Sequence, residues 1–96
     1  SGQLPIDPAT GEFAPGGIQA QARQSLTNMK NILAEAGLTM QNVAKVTVLL
    51  ADIADFAAVN EVYAEFFSAP FPARSAFQVA ALPKGAGVEI EAIAVK

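Results

Sequence analysis

The run "VAKVTVLL" at residues 43–50 constrains this chain more than any other stretch. Its β-branched and leucine residues read as a strand. In a strand, successive side chains alternate between two faces. Ala44, Val46, Val48 and Leu50 share one face, and Val43, Lys45, Thr47 and Leu49 share the other. Neither face is clearly polar, so the strand is expected at the centre of a sheet, covered on both sides.

The rest of the chain must supply that sheet and its cover. Residues 1–17 hold three of the six prolines, with turn signals at Asp7-Pro8 and Thr10-Gly11, and read as loop. From Ile18 the apolar residues Ala22, Leu26, Met29, Ile32, Leu33 and Ala36 recur at helical spacing, predicting a helix over about 17–36 that stops at Gly37. Asp52 and Asp55 are candidate N-caps for a second helix in "FAAVNEVYAEFF". Its apolar stripe is Phe56, Val59, Val62, Tyr63, Phe66 and Phe67, and Pro70 and Pro72 end it. Two further strands follow at about 73–81 and 88–95, with "LPKGAG" as a turn between them. Helix, strand, helix, strand, strand predicts one α+β domain over 1–96, with both helices on one face of a mixed sheet.

Composition narrows the partners. Hydrophobic residues make up 52% of the 96 residues and charged residues 16%. That is more apolar surface than a lone domain of this size hides easily, which points to self-association. The net charge is −3 with no basic cluster, so no nucleic-acid partner is expected. Cysteine and histidine are absent. This excludes disulfides, thiolate or imidazole metal sites and a histidine-activated serine nucleophile, and no metal is expected. No apolar run approaches the roughly 18 residues of a membrane span, and there is no signal peptide. The expected location is the cytoplasm. The chain opens "SGQLPIDP", without an initiator methionine or a leading strand, and reads as cut from a longer protein.

Few residues remain to carry chemistry. Arg74, one of two arginines, starts the first of the closing strands, with Ala76, Gln78 and Ala80 on its face. Small neighbours leave space beside the guanidinium for a carboxylate, which arginine binds with two parallel hydrogen bonds. The plainer reading is a strand-end arginine paired with a surface acid. Glu89 and Glu91 share a face with Ile93 and Val95. If the last two strands pair, Arg74 and one glutamate would line one cleft, where a carboxylate can orient water or move a proton. The plainer reading there is ordinary surface acids, but Ile93 and Val95 imply a face covered at its far end by another subunit. Lys45 reads as a snorkelling edge charge and Tyr63 as packing.

Three separated segments carry a resemblance: "SGQLPIDPATGE", "QARQSLTNMKNILAEAGLTMQNVAKVTVLLADIADFAAVNEVYAEFF" and "PARSAFQVAALPKGAGVEIEAIAV". Together they span the chain and resemble the RidA/YjgF/UK114 family of enamine/imine deaminases, also called endoribonuclease L-PSP. The resemblance implies a chorismate-mutase-like α+β fold assembled as a homotrimer, with sites between subunits. It implies cofactor-free hydrolysis of 2-aminoacrylate/2-iminopropanoate and 2-iminobutanoate to 2-oxo acids and ammonia. By motif position, Arg74 in "PARS" corresponds to the substrate-carboxylate clamp. Glu89 in "VEIEA" corresponds to the acid that positions or activates water, with Glu91 secondary. Ser1 in "SGQ" corresponds to a serine lining the pocket.

Two departures accompany the resemblance. Many members carry a cysteine two residues after the arginine, where this chain has Ala76, whose backbone carbonyl remains available to a water. Family chains also extend further at the N-terminus, with a strand pair and a pocket tyrosine ahead of "SGQ". Two other readings stand beside the deaminase: a non-catalytic trimeric ligand-binding or chaperone-like member, and a ribonuclease, which the acidic balance disfavours.

Overall fold

The strand expected to be central is central. In the computed structural model, which describes residues 1–96, Val43–Leu50 (β3) lies between Ala73–Gln78 (β4) and Val88–Ala94 (β5). β4 runs parallel to β3 and β5 antiparallel, so the sheet is mixed. Two helices, Ile18–Glu35 (α1) and Phe56–Phe66 (α2), cover one face. The opening segment, expected as loop, holds a small hairpin of Ile6–Asp7 (β1) and Glu12–Phe13 (β2). Its turn forms at the predicted residues: the Asp7 carboxylate accepts from Ala9 N at 2.9 Å and the Asp7 carbonyl from Gly11 N at 2.8 Å.

The last two strands do not pair with each other. The connection from β4 to β5 passes over the end of β3, held there by Val79 N to Leu50 O (2.9 Å) and Ala51 N to Gly87 O (3.0 Å). The reason lies in β3 itself. Seated between the other two, it satisfies both edges of its backbone and buries the most apolar strand of the chain.

One face of β3 is dry. Val46, Val48 and Leu50 are fully buried with Leu26 and Ala22 of α1, Val59 and Val62 of α2, and Val88 and Ile90 of β5. The other face differs from expectation. Lys45, Thr47 and Leu49 are only half-buried, because no element of the chain covers that side. Ala44, expected beside Val46, is exposed: the β3–β5 register shifts between Val43 and Lys45, and that irregularity returns Val43 to the core. Lys45 is therefore a central-strand residue on the open face, not an edge charge, with Nζ 3.5 Å from Thr47 Oγ1.

The helices start and stop for local reasons. Gly37 takes a left-handed φ of 74°, and Leu38 N donates to Leu33 O (2.8 Å) while Gly37 N donates to Ala34 O (3.0 Å). Those two bonds satisfy the last carbonyls of α1. Asp52 caps the 3₁₀ turn Ile53–Asp55 through Ala54 N at 2.9 Å, whereas Asp55 stands at the start of α2 without a side-chain cap bond. Arg23 and Glu65 join the helices by an ion pair of 2.9 Å. Half-exposed, it contributes about 1 kcal/mol at most. No helix is long and apolar enough to cross a membrane.

Burial ranks the core positions. Leu26 is wholly inaccessible, while Ile32, on the same helix, is more than half exposed. Leu26→Ala is expected to lower unfolding free energy by about 3–5 kcal/mol, and Ile32→Ala by about 0.5 kcal/mol, measured by urea denaturation under identical conditions.

Candidate functional site

Arg74, the second residue of β4, lies directly opposite Val46 of β3. Paired residues share a face, so the guanidinium rises on the helix side of the sheet and meets α2. Phe56, Asn60 and Tyr63 stand at i, i+4 and i+7 of that helix, one aligned stripe. The guanidinium carbon lies 4.6 Å from the Tyr63 ring centroid and 5.4 Å from that of Phe56, a cation–π arrangement with both rings. Nη1 donates to Asn60 Oδ1 at 2.6 Å. Together these contacts hold the side chain in one pose without neutralising it. The ion pair of the chain is Arg23–Glu65, and Arg74 has no carboxylate partner. The plainer reading, an arginine paired with a surface acid, is therefore not what this chain does.

Beside Arg74 lies a cleft of about 390 Å³, lined by Asn60, Tyr63, Ala64, Phe71, Pro72 and Arg74. Phe71 is 63% exposed at its rim. A small carboxylate entering here would meet an unpaired guanidinium with free N–H donors, against aromatic walls. Ala76 follows Arg74 on the same face of β4 and packs against the core.

The other expected site residues lie elsewhere in the chain. Glu89 is paired with Leu49 and Glu91 with Thr47, so both point to the open face, opposite to Arg74. Ser1 precedes Gln3, which exchanges backbone bonds with Ile90 at the outer edge of β5 (2.7 and 3.1 Å). The N-terminal segment, β5, β3 and β4 thus stand side by side, and Gln3 is about 14 Å from the Arg74 strand at ordinary strand spacing. A cleft within one chain holding both Arg74 and a glutamate does not form. The pairing of the last two strands on which it depended is absent, because β3 separates them.

Asn60 and Tyr63 were not singled out for the site, though both were visible in the sequence. Asn60 is the one amide falling within the apolar stripe of α2, one turn after Phe56 and three residues before Tyr63. A polar group on a packing stripe needs a partner, and Arg74 is that partner. Tyr63 packs, as expected, against Phe67 at 4.5 Å between centroids, and also forms the surface under Arg74. Its hydroxyl is buried without a hydrogen-bond partner.

Known proteins resemble this chain. The family model for endoribonuclease L-PSP matches residues 1–96. This chain belongs to the endoribonuclease L-PSP family. Among curated relatives of this L-PSP chain, the 2-iminobutanoate/2-iminopropanoate deaminase of Capra hircus is 62% identical over 96 residues, covering all of this chain and 70% of the goat protein. Among solved structures, the YjgF gene product of E. coli is 52% identical with a TM-score of 0.94, over all of this chain and 77% of that one. E. coli TdcF with bound serine matches with the same identity, TM-score and coverage.

The Tyr63 hydroxyl offers a direct probe of the site. Burial raises its pKa above the ordinary value of 10.0, and the positive charge of Arg74 lowers it by a smaller amount. A raised phenol pKa means the folded state holds its proton more tightly than the unfolded state. Its contribution to stability is then complete below about pH 10 and is lost as pH rises through the folded pKa. With one tyrosine and no tryptophan in the chain, phenolate absorbance reads this group alone. Titration is expected to begin later than in the denatured chain, and Arg74→Gln is expected to delay it further.

Proposed function

We propose that this chain hydrolyses 2-iminopropanoate and its enamine tautomer 2-aminoacrylate, and 2-iminobutanoate, to the 2-oxo acids and ammonia, without a cofactor. The observation that carries this reading is Arg74. It is held by two aromatic rings and a neutral amide, has no acid of its own, and opens onto a cleft. A fixed, unneutralised guanidinium is a receptor for a carboxylate, and these substrates carry one beside the reacting carbon. The deaminase name of the 62%-identical goat relative agrees with it. So does the serine held by TdcF, a ligand of the same size with an α-carboxylate.

The chemistry requires little else. A protonated imine carbon is already electrophilic. Water adds to it to give a carbinolamine, whose C–N bond breaks to release ammonia as the C=O bond forms. Arg74 holds the carboxylate, and the Glu89 carboxylate orients the water, takes its proton and returns it to the departing nitrogen. The Ala76 carbonyl serves as a further acceptor for that water, and Ser1 lines the pocket.

Because Arg74 and Glu89 lie on opposite faces of one sheet, this mechanism needs two copies of the chain. The open face favours such an assembly: Leu49, Phe77 and Ile93 lie on it with only Lys45, Glu89 and Glu91 as charges, and Phe77 and Ile93 remain well exposed. A homotrimer that covers this face would carry each Glu89 to the Arg74 cleft of a neighbour.

Kinetics with imines generated in situ by a serine or threonine dehydratase separate the roles. Arg74→Lys is expected to weaken binding of 2-oxobutanoate, since lysine lacks the planar fork. Glu89→Gln is expected to lower kcat by about 10²–10⁴-fold, and Glu91→Gln far less. Equal losses at the two glutamates would remove Glu89 from its assigned role.

A further inference from the structure

Glu89 and Glu91 share one strand face, yet Glu89 is half-buried and Glu91 is exposed. The difference comes from the N-terminal segment. Gln3 N donates to Ile90 O at 2.7 Å and Ile90 N to Gln3 O at 3.1 Å, which lays Ser1–Gln3 along the free edge of β5. This brings the backbone of Gly2 against the Glu89 side chain. A methyl group built on Gly2 would overlap Glu89 Oε2 outright and lie 3.0 Å from Cδ and 3.4 Å from Cγ. The three atoms nearest to that methyl all belong to Glu89. Gly2 does not adopt the left-handed backbone that favours glycine. Its missing side chain is therefore explained by the carboxylate, not by the turn of the chain.

We infer that Gly2 is a positioning residue for Glu89: its bare Cα is the surface on which the carboxylate rests, and it fixes the direction from which Oε1 and Oε2 face the attacking water. The inference rests on the reading of Glu89 as the water-orienting group. The steric argument is simple. Oε2 ends a flexible side chain, so an added methyl group leaves the backbone in place and pushes the carboxylate away. Ordinary contact separations of about 3.5 Å require a shift of more than about 1 Å. Water attack depends on alignment within a near-attack distance, and a misplacement of about 1 Å can lower the rate about 10²-fold. Substrate held by Arg74 would be bound as before.

A double-mutant cycle between Gly2→Ala and Glu89→Asp tests this, with kcat, KM and melting temperature measured for each protein. Gly2→Ala alone is expected to lower kcat about 10–10²-fold, with KM and melting temperature near the parent values. Aspartate ends one carbon earlier than glutamate, so its carboxylate does not reach the Oε2 position that the added methyl overlaps. Glu89→Asp should therefore lower kcat when residue 2 is glycine, and Gly2→Ala should then add little further loss. That non-additivity is a coupling no general loss of structure produces. An unchanged kcat in Gly2→Ala, simply multiplied losses in the double variant, or a marked fall in melting temperature would each overturn the inference. Glu89→Gln, run in parallel, keeps the two claims apart. Full activity there overturns the water-orienting role itself. A large loss there beside an unaffected Gly2→Ala overturns only the role of Gly2.

Discussion

Consecutive residues of a β-strand face opposite sides of a sheet, and in this chain that rule divides the chemistry. Arg74 is in register with Val46, whose side chain is buried under the helices, and Glu89 is in register with Leu49, whose side chain faces outward. No rotamer change brings the two together through a packed strand. Because β3 lies between β4 and β5, Arg74 and Glu89 belong to different surfaces of the chain. On the proposed reading, the uncovered face of the sheet, with its exposed Phe77 and Ile93, supplies the second half of the site.

The helix side fixes Arg74 in place. An exposed arginine ordinarily loses entropy when a ligand fixes it. Here the Tyr63 and Phe56 rings and the Asn60 amide have already chosen its pose. None of these groups carries a negative charge, so the positive charge remains available. Tyr63 serves both ends of this arrangement. Its ring is buried with Val59 and Val62 in the core and supports the guanidinium on its other side. Core packing thus transmits directly to the site.

Much of the fold was legible because its signals were local. The bounds of β3 and α1 follow from "VAKVTVLL" and from the helical spacing ended by Gly37. Strand order was not legible, because nothing within "LPKGAG" distinguishes a hairpin turn from a crossing over β3. The irregularity at Ala44 depends on the register with β5 and leaves no mark in the strand's own alternation. For the site, motif resemblance points to Arg74, Glu89, Ser1 and Ala76, while the contact of Asn60 and Tyr63 with Arg74 depends on how α2 packs against β4. Gly2 became meaningful only when its neighbour was known to be Glu89.

The division of Arg74 and Glu89 between copies of the chain can be measured by complementation. Arg74→Ala and Glu89→Gln variants, each expected to be strongly impaired alone, are co-expressed or dissociated and reassembled, and deaminase activity of the mixture is compared with either variant. Where Arg74 of one copy works with Glu89 of another, some hybrid sites contain both intact residues, and the mixture recovers a clear fraction of parent activity. A mixture shown by differential tags to contain hybrids, yet no more active than its components, would contradict a site shared between subunits.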